Sequence, residues 1–260
     1  NSNSTLVAQD VSYLKTIYTY SNMETASANN SINPVKVEDV ELTKEQYEYE
    51  TTHINNEVAQ TNVDDEHTWG YRTLTTSLYK EGTYSAPVYR VVSVVEWSNS
   101  YTPVTRSFDI LGISFANTSD ITVKAGSQYA FQTYTETNKS TGSSEYKAIH
   151  YSSNSDHYTK QNNGYAISMN LVNDTSTHRM SQMNSYLEYT VIKRGSGVVN
   201  NLQFSSAYTH AQISVDLLDV VGFAMDPSGL GLAMFLLGKP ISQKYDSGNH
   251  TFVQMTGIGW

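Results

Sequence analysis

The chain contains no cysteine, which excludes a disulfide-stapled scaffold, thiolate metal sites and cysteine nucleophiles together. Charge is scarce too: Asp, Glu, Lys and Arg make up 16% of the 260 residues, against about a quarter in an average domain. Only 16 side chains are Lys or Arg against 25 acidic ones, for a net charge of −9. Nucleic-acid binding relies on clustered basic residues that displace phosphate counterions, so no nucleic-acid partner is expected. Long apolar runs are missing as well. A membrane-spanning helix needs about 20 apolar residues, and the most apolar zone, "LLDVVGFAMDPSGLGLAMFLLG" at 217–238, is broken by Asp219, Asp226 and Pro227. No transmembrane segment is predicted. Absent, too, are the G-x-S-x-G elbow of serine hydrolases, a Gly-rich phosphate cradle and a calcium loop.

Ser, Thr, Asn and 20 Tyr fill the space that charge and cysteine leave. That composition suits an extracellular β-protein whose strands carry hydroxyls and amides on their solvent face. From Thr68 onward, runs such as "VYRVVSVVEW", "RSFDILGISF" and "SYLEYTVIKR" alternate with turn clusters. Asn163-Gly164 is the strongest hairpin signal, because both residues tolerate the positive φ of a type I′ turn. The spacing predicts an all-β fold, an antiparallel, jelly-roll-like β-sandwich of about twelve strands. Thr43-x-x-Gln46 fits a capping box, with Leu42 placed to staple onto Tyr47, and predicts at most one short helix near residues 43–52. Residues 38–66 hold ten of the 25 acidic side chains. We divide the chain into an amino-terminal arm and acidic segment, 1–67, and a sandwich domain, 68–260.

Few residues invite a chemical role. The seven His show no i, i+4 pair, and His150 and His157 are seven apart, which places them on opposite faces of a regular strand. "DPSGLG" around Ser228 reads as a β-turn. Glu96 and Asp109 are the best candidates for a glycosidase carboxylate pair, but both lie in strands where alternate residues face solvent. The expectation is a non-enzyme with no catalytic residue, cofactor or metal. Aromatic side chains combine an apolar body with specific ring geometry, which makes Trp69 and Trp97 candidates for stacking on a glycan. In the arm, Leu6, Val7, Val11, Tyr13 and Ile17 are candidate interface residues, the last four on one face of an extended strand that could add to a neighbour's sheet.

The order of "YRVVSVVEW", "RSFDILGISF", "NNGYAISMNLV", "SAYTHAQISVDL" and "SGLG", over residues 68–237, resembles uncharacterised secreted all-β proteins of Gram-positive, Bacillus- and Clostridium-like bacteria. The resemblance implies an exported all-β domain and supplies no functional residues. The start, "NSNSTLVAQD", is read as a mature form whose leader has been removed, hence secreted or at the cell surface. The expected function is a non-enzymatic structural or adhesive surface protein, a fibre- or pilus-like subunit that self-associates through its arm. Two alternatives stand beside it: a lectin-like module binding surface glycans, and a β-pore-forming toxin in which residues 121–160 form the inserting hairpin.

Overall fold

Period-2 alternation dominates the described part of the chain, which in a computed structural model comprises residues 4–19, 36–57, 67–83, 86–98, 108–211, 222–225, 232–236, 239–240 and 248–260. The strand His178–Lys193 is the plainest case: Ser185, Leu187, Tyr189 and Val191 are buried, while Tyr186, Glu188 and Thr190 between them are half-buried on the other face. The elements in chain order are β1 (Thr5–Thr19), β2 (Lys36–Leu42), α1 (Lys44–Glu57), β3 (His67–Thr83), β4 (Ala86–Trp97), β5 (Phe108–Phe115), β6 (Ile121–Val123), β7 (Tyr129–Asn138), β8 (Ser144–Tyr151), β9 (Tyr158–Gln161), β10 (Gly164–Asn170), β11 (His178–Lys193), β12 (Asn201–Thr209), β13 (Gly222–Met225), β14 (Leu232–Leu236), β15 (Lys239–Pro240) and β16 (Asn249–Thr256).

They form an antiparallel sandwich. The large sheet runs β2-β1-β3-β4-β11-β7-β8, with β6 paired to β11, and the small sheet runs β16-β12-β5-β10-β9. A third sheet, β13-β14-β15, contacts the small sheet at β5, β9 and β12. Consistent with cover on both faces, β5 is buried from Asp109 to Phe115 and β10 from Gly164 to Met169. The outer face of the large sheet, by contrast, carries one described element, α1.

Local chemistry explains several boundaries. The capping box forms as expected: Gln46 N donates to Thr43 Oγ1 at 3.2 Å, and Thr43 N donates to Gln46 Oε1 at 2.9 Å. The helix then runs to Glu57. It docks on the sheet through Tyr47, Glu50 and Thr51, at i, i+3 and i+4 spacing, by ring contacts and an ion pair instead of an apolar stripe. The β9–β10 hairpin turns one residue earlier than expected, at Asn162-Asn163, and neither residue has a positive φ. Gly164 is needed for another reason: a Cβ there would lie 2.1 Å from the Ile113 carbonyl oxygen of β5. Residues 129–151 form the β7–β8 hairpin, in register from Thr137↔Ser144 to Ala130↔Tyr151.

The arm strand is part of the sheet. β1 pairs with β3 from Thr5↔Lys80 to Thr19↔His67, and with β2 from Tyr13↔Leu42 to Thr19↔Lys36. A bulge between Leu6 and Ala8 breaks its alternation. Val7 therefore packs against the core, while Val11, Tyr13 and Ile17 lie on the outer face and Leu6 is 48% exposed.

Two kinds of contact join the sheets. One is apolar, centred on Leu74, Leu78, Val91 and Val95 of the large sheet and Leu111, Ile113, Phe204 and Val253 of the small one. The other is a polar seam. Arg72 of β3 is fully buried; its Nε donates to Asn249 Oδ1 of β16 at 2.6 Å and its Nη1 to Thr16 Oγ1 of β1 at 3.0 Å. Asp39 of β2 accepts from Thr16 Oγ1 at 2.7 Å and lies 4.0 Å from Arg72 Nη2. The guanidinium sits 5.1 Å from the Trp97 ring and 5.5 Å from the Tyr208 ring. Further along, Thr76 bonds Ser93 and Thr251, and Ser93 bonds Ser206, all within 2.9 Å.

Replacing Arg72 with Met strips the buried Asp39 carboxylate and Asn249 amide of their cationic partner. The expected loss is about 3–5 kcal/mol, read as a lower urea midpoint at unchanged slope. An unchanged midpoint would show the seam to be dispensable.

Candidate functional site

The outer face of the large sheet carries two parallel rows of side chains running across its strands. Register places Thr73 of β3 opposite Glu96 of β4, Glu96 opposite Asn184 of β11, and Asn184 opposite Thr133 of β7. At about 4.8 Å per strand this polar row spans about 14 Å. Two residues along each strand, about 7 Å away, runs a row of Thr75, Val94, Tyr186, Phe131 and His150. Its aromatic part is tightly organised. Phe131 stacks on Tyr186 at 4.4 Å and 23°, and Tyr129 stacks on His150 at 5.9 Å with its hydroxyl 2.6 Å from Nδ1.

Beside the polar row lies a cleft of about 420 Å³, within the size range of small-molecule sites. Helix α1 supplies one wall with Tyr47 and Thr51; β3 supplies Thr73, β4 Glu96, and Ser98 follows just after β4; β8 supplies Tyr146, and β11 supplies Gln182 and Asn184. Tyr146 is 67% exposed. Gln182 sits at φ 53°, where a non-glycine residue is uncommon, in a bulge that sets Gln182 and Met183 against Tyr134. The bulge turns Met183 into the core and Gln182 out to the cleft, where its Oε1 accepts from Thr135 Oγ1 at 2.6 Å.

Several charges on this face are paired closely. Lys15 Nζ is 2.8 Å from Glu50 Oε2, which also accepts from the Tyr71 hydroxyl at 2.7 Å. Burial raises the Glu50 carboxyl, but these donors outweigh it and hold the group below its usual range. Arg90 lies between Glu81 at 2.7 Å and Glu188 at 2.6 Å, and Glu188 also accepts from the Tyr186 hydroxyl. Glu96 differs: among the described residues no hydrogen bond or ion pair engages its carboxylate. Burial, assisted by the negative charge of Glu96, pushes the Tyr47 phenol up to about 12, so a neutral ring faces the cleft.

The residues singled out in the sequence are dispersed. Asp109 is fully buried, accepting from the Tyr208 hydroxyl, from His210 Nδ1 at 2.9 Å and from Ala211 N at 3.1 Å. It is an interior anchor of the small sheet, while Glu96 stands exposed on the outer face of the large one, so they form no carboxylate pair. Trp97 is 3% exposed, donates through Nε1 to the Tyr208 hydroxyl at 3.1 Å, and offers no open ring for stacking. Trp69 pairs with Ile17 in β3, and its side chain, like Ser228, lies outside the described residues. Of the expected interface residues, Tyr13 packs under the helix, 5.3 Å from the Tyr47 ring. Among the described residues no cluster of three His, Asp or Glu side chains could hold a metal ion.

Sequence reading missed Tyr146, Gln182 and Asn184. A signal for the bulge was present: the inward residues Met180, Met183, Ser185, Leu187 and Tyr189 step by three once and by two thereafter. Comparison with known proteins finds no matching family, curated protein or solved structure.

Burial pushes Tyr151 and Tyr158, like Tyr47, up to about 12, whereas the unfolded chain ionises tyrosine near 10. The folded state holds these phenols neutral, so their stabilisation is intact below about pH 10 and is lost as pH rises through about 12. Urea unfolding across that interval, with phenolate absorbance followed in parallel, should show stability falling as these rings ionise. Stability that stays flat to pH 12 would contradict the burial.

Proposed function

We propose that this chain is a non-enzymatic glycan-binding module of an extracellular or cell-surface adhesive protein, and that it binds through the outer face of its large sheet. The carrying observation is the cleft beside the polar row, which combines an exposed aromatic ring, Tyr146, with amide, hydroxyl and carboxylate groups of Asn184, Gln182, Thr73, Thr51 and Glu96. Sugars present apolar C–H faces that stack on rings, and hydroxyls that need paired donors and acceptors. The neighbouring row of Phe131, Tyr186 and His150 would extend the surface for a longer chain.

Binding is a better fit than hydrolysis, because most glycosidases use a pair of carboxylates and one is present in the described lining. Self-association by strand addition would require β1 to leave β2 and β3 and enter the sheet of a second copy. A pore-forming hairpin would require β7 and β8 to part from β11. The glycan reading needs neither rearrangement.

The experiment is a glycan array followed by titration of the best oligosaccharide. Tyr146→Ala and Asn184→Ala should each weaken binding by about tenfold or more, and Tyr146→Ala should leave unfolding stability within about 0.5 kcal/mol, since the ring is exposed. No binding to any glycan, or binding indifferent to both substitutions, would overturn the proposal.

A further inference from the structure

The chemistry of the cleft goes further and speaks to the charge of its ligand. Glu96 carries its carboxylate midway between two uncharged cross-strand neighbours, Thr73 and Asn184. Among the described residues, the side chains that line the cleft with it are uncharged: phenols, hydroxyls and amides. Three other carboxylates on this face, Glu50, Glu81 and Glu188, each hold a Lys or Arg within 2.8 Å, whereas among the described residues Glu96 holds none. Two tyrosines, Tyr47 from the helix and Tyr146 from the edge strand, flank the same space, and neutral aromatic faces attract cations. The net charge of −9 adds a long-range pull of the same sign.

We infer that the cleft selects a sugar bearing a free, protonated amine, a hexosamine without its acetyl group. The ammonium pairs with the Glu96 carboxylate between Tyr47 and Tyr146, and the ring hydroxyls bond to Asn184, Gln182 and Thr73. An N-acetylated residue brings a neutral amide in place of the ammonium and gains no ion pair. A uronic, sulfated or sialylated sugar sets a negative charge against Glu96. This inference rests on the glycan-binding reading, and its test separates the two.

The test is calorimetric titration of the full chain at mildly acidic pH with four probes: a glucosamine tetramer, its N-acetylated counterpart, a glucose tetramer and tetralysine. The glucosamine tetramer should bind about tenfold or more tightly than the other three, lose that advantage in Glu96→Gln, and weaken as salt is added. The Gln variant keeps the size of an exposed side chain, and an unchanged melting curve verifies its fold. Equal binding of the three sugars, unaffected by Glu96→Gln, would overturn the ammonium selectivity and leave glycan binding standing. Tetralysine binding as tightly as the glucosamine tetramer would overturn selection of a sugar. A protein that binds none of the four overturns this inference, and if it is also silent on the glycan array, the function proposed above falls with it.

Discussion

Arg72 is the interaction on which the sandwich turns. A guanidinium cannot shed its charge, so burying it obliges the fold to assemble partners around it. Those partners come from both sheets: Thr16 and Asp39 from β1 and β2, Asn249 from β16, and the rings of Trp97 and Tyr208 beside it. Tyr208 in turn donates to Asp109, which also takes His210 and a backbone amide. One connected polar network thus crosses the interior from the edge of the large sheet to the middle of the small one. Apolar packing alone would tolerate a slide of one sheet on the other. A network whose members must all be satisfied tolerates very little, because each orphaned buried polar group costs about 1–3 kcal/mol.

That network bears on the outer face. Trp97 ends β4 one residue beyond Glu96, so fixing the indole against Arg72 and Tyr208 on the inside fixes where the Glu96 carboxylate emerges on the outside. Thr73 follows Arg72 in β3 in the same way. The inner seam and the outer polar row are alternate residues of the same strands, and period-2 geometry couples the rigidity of one to the placement of the other. The bulge at Gln182 and the capped helix α1 then close the cleft from two sides.

Much of this architecture was legible from the chain. Alternation located most strands, the Thr43 box located the helix start, and the Asn162-Asn163-Gly164 cluster located a hairpin. What misled was the meaning of hydroxyl and amide residues. Ser12, Thr16, Thr76, Ser93, Ser206 and Thr251 look like solvent-face decoration, yet they are buried and bonded to one another, to Asn249 or, for Thr16, to Arg72 and Asp39. Arg72 hides for the same reason: a charged residue within "YRTLTTSLY" reads as exposed until its partners, 56 and 177 residues away along the chain, are brought to it. The amino-terminal strand was legible as a strand, but whether its partner is β3 of the same chain or the sheet of another is a question of long-range pairing that local pattern does not address. The cleft was the least legible feature, since Tyr47, Glu96, Tyr146 and Asn184 come from four elements and meet only through register.

The central claim is spatial: ligand binds on the outer face of the large sheet. Amide chemical-shift mapping of the isotopically labelled chain, titrated with the glucosamine tetramer, tests it directly. The account predicts that the shifted amides cluster at Thr73, Glu96, Tyr146 and Asn184 and spread toward Phe131 and Tyr186, leaving β5, β10 and β12 still. Shifts gathered on the small sheet, or no shifts at saturating tetramer, would contradict it.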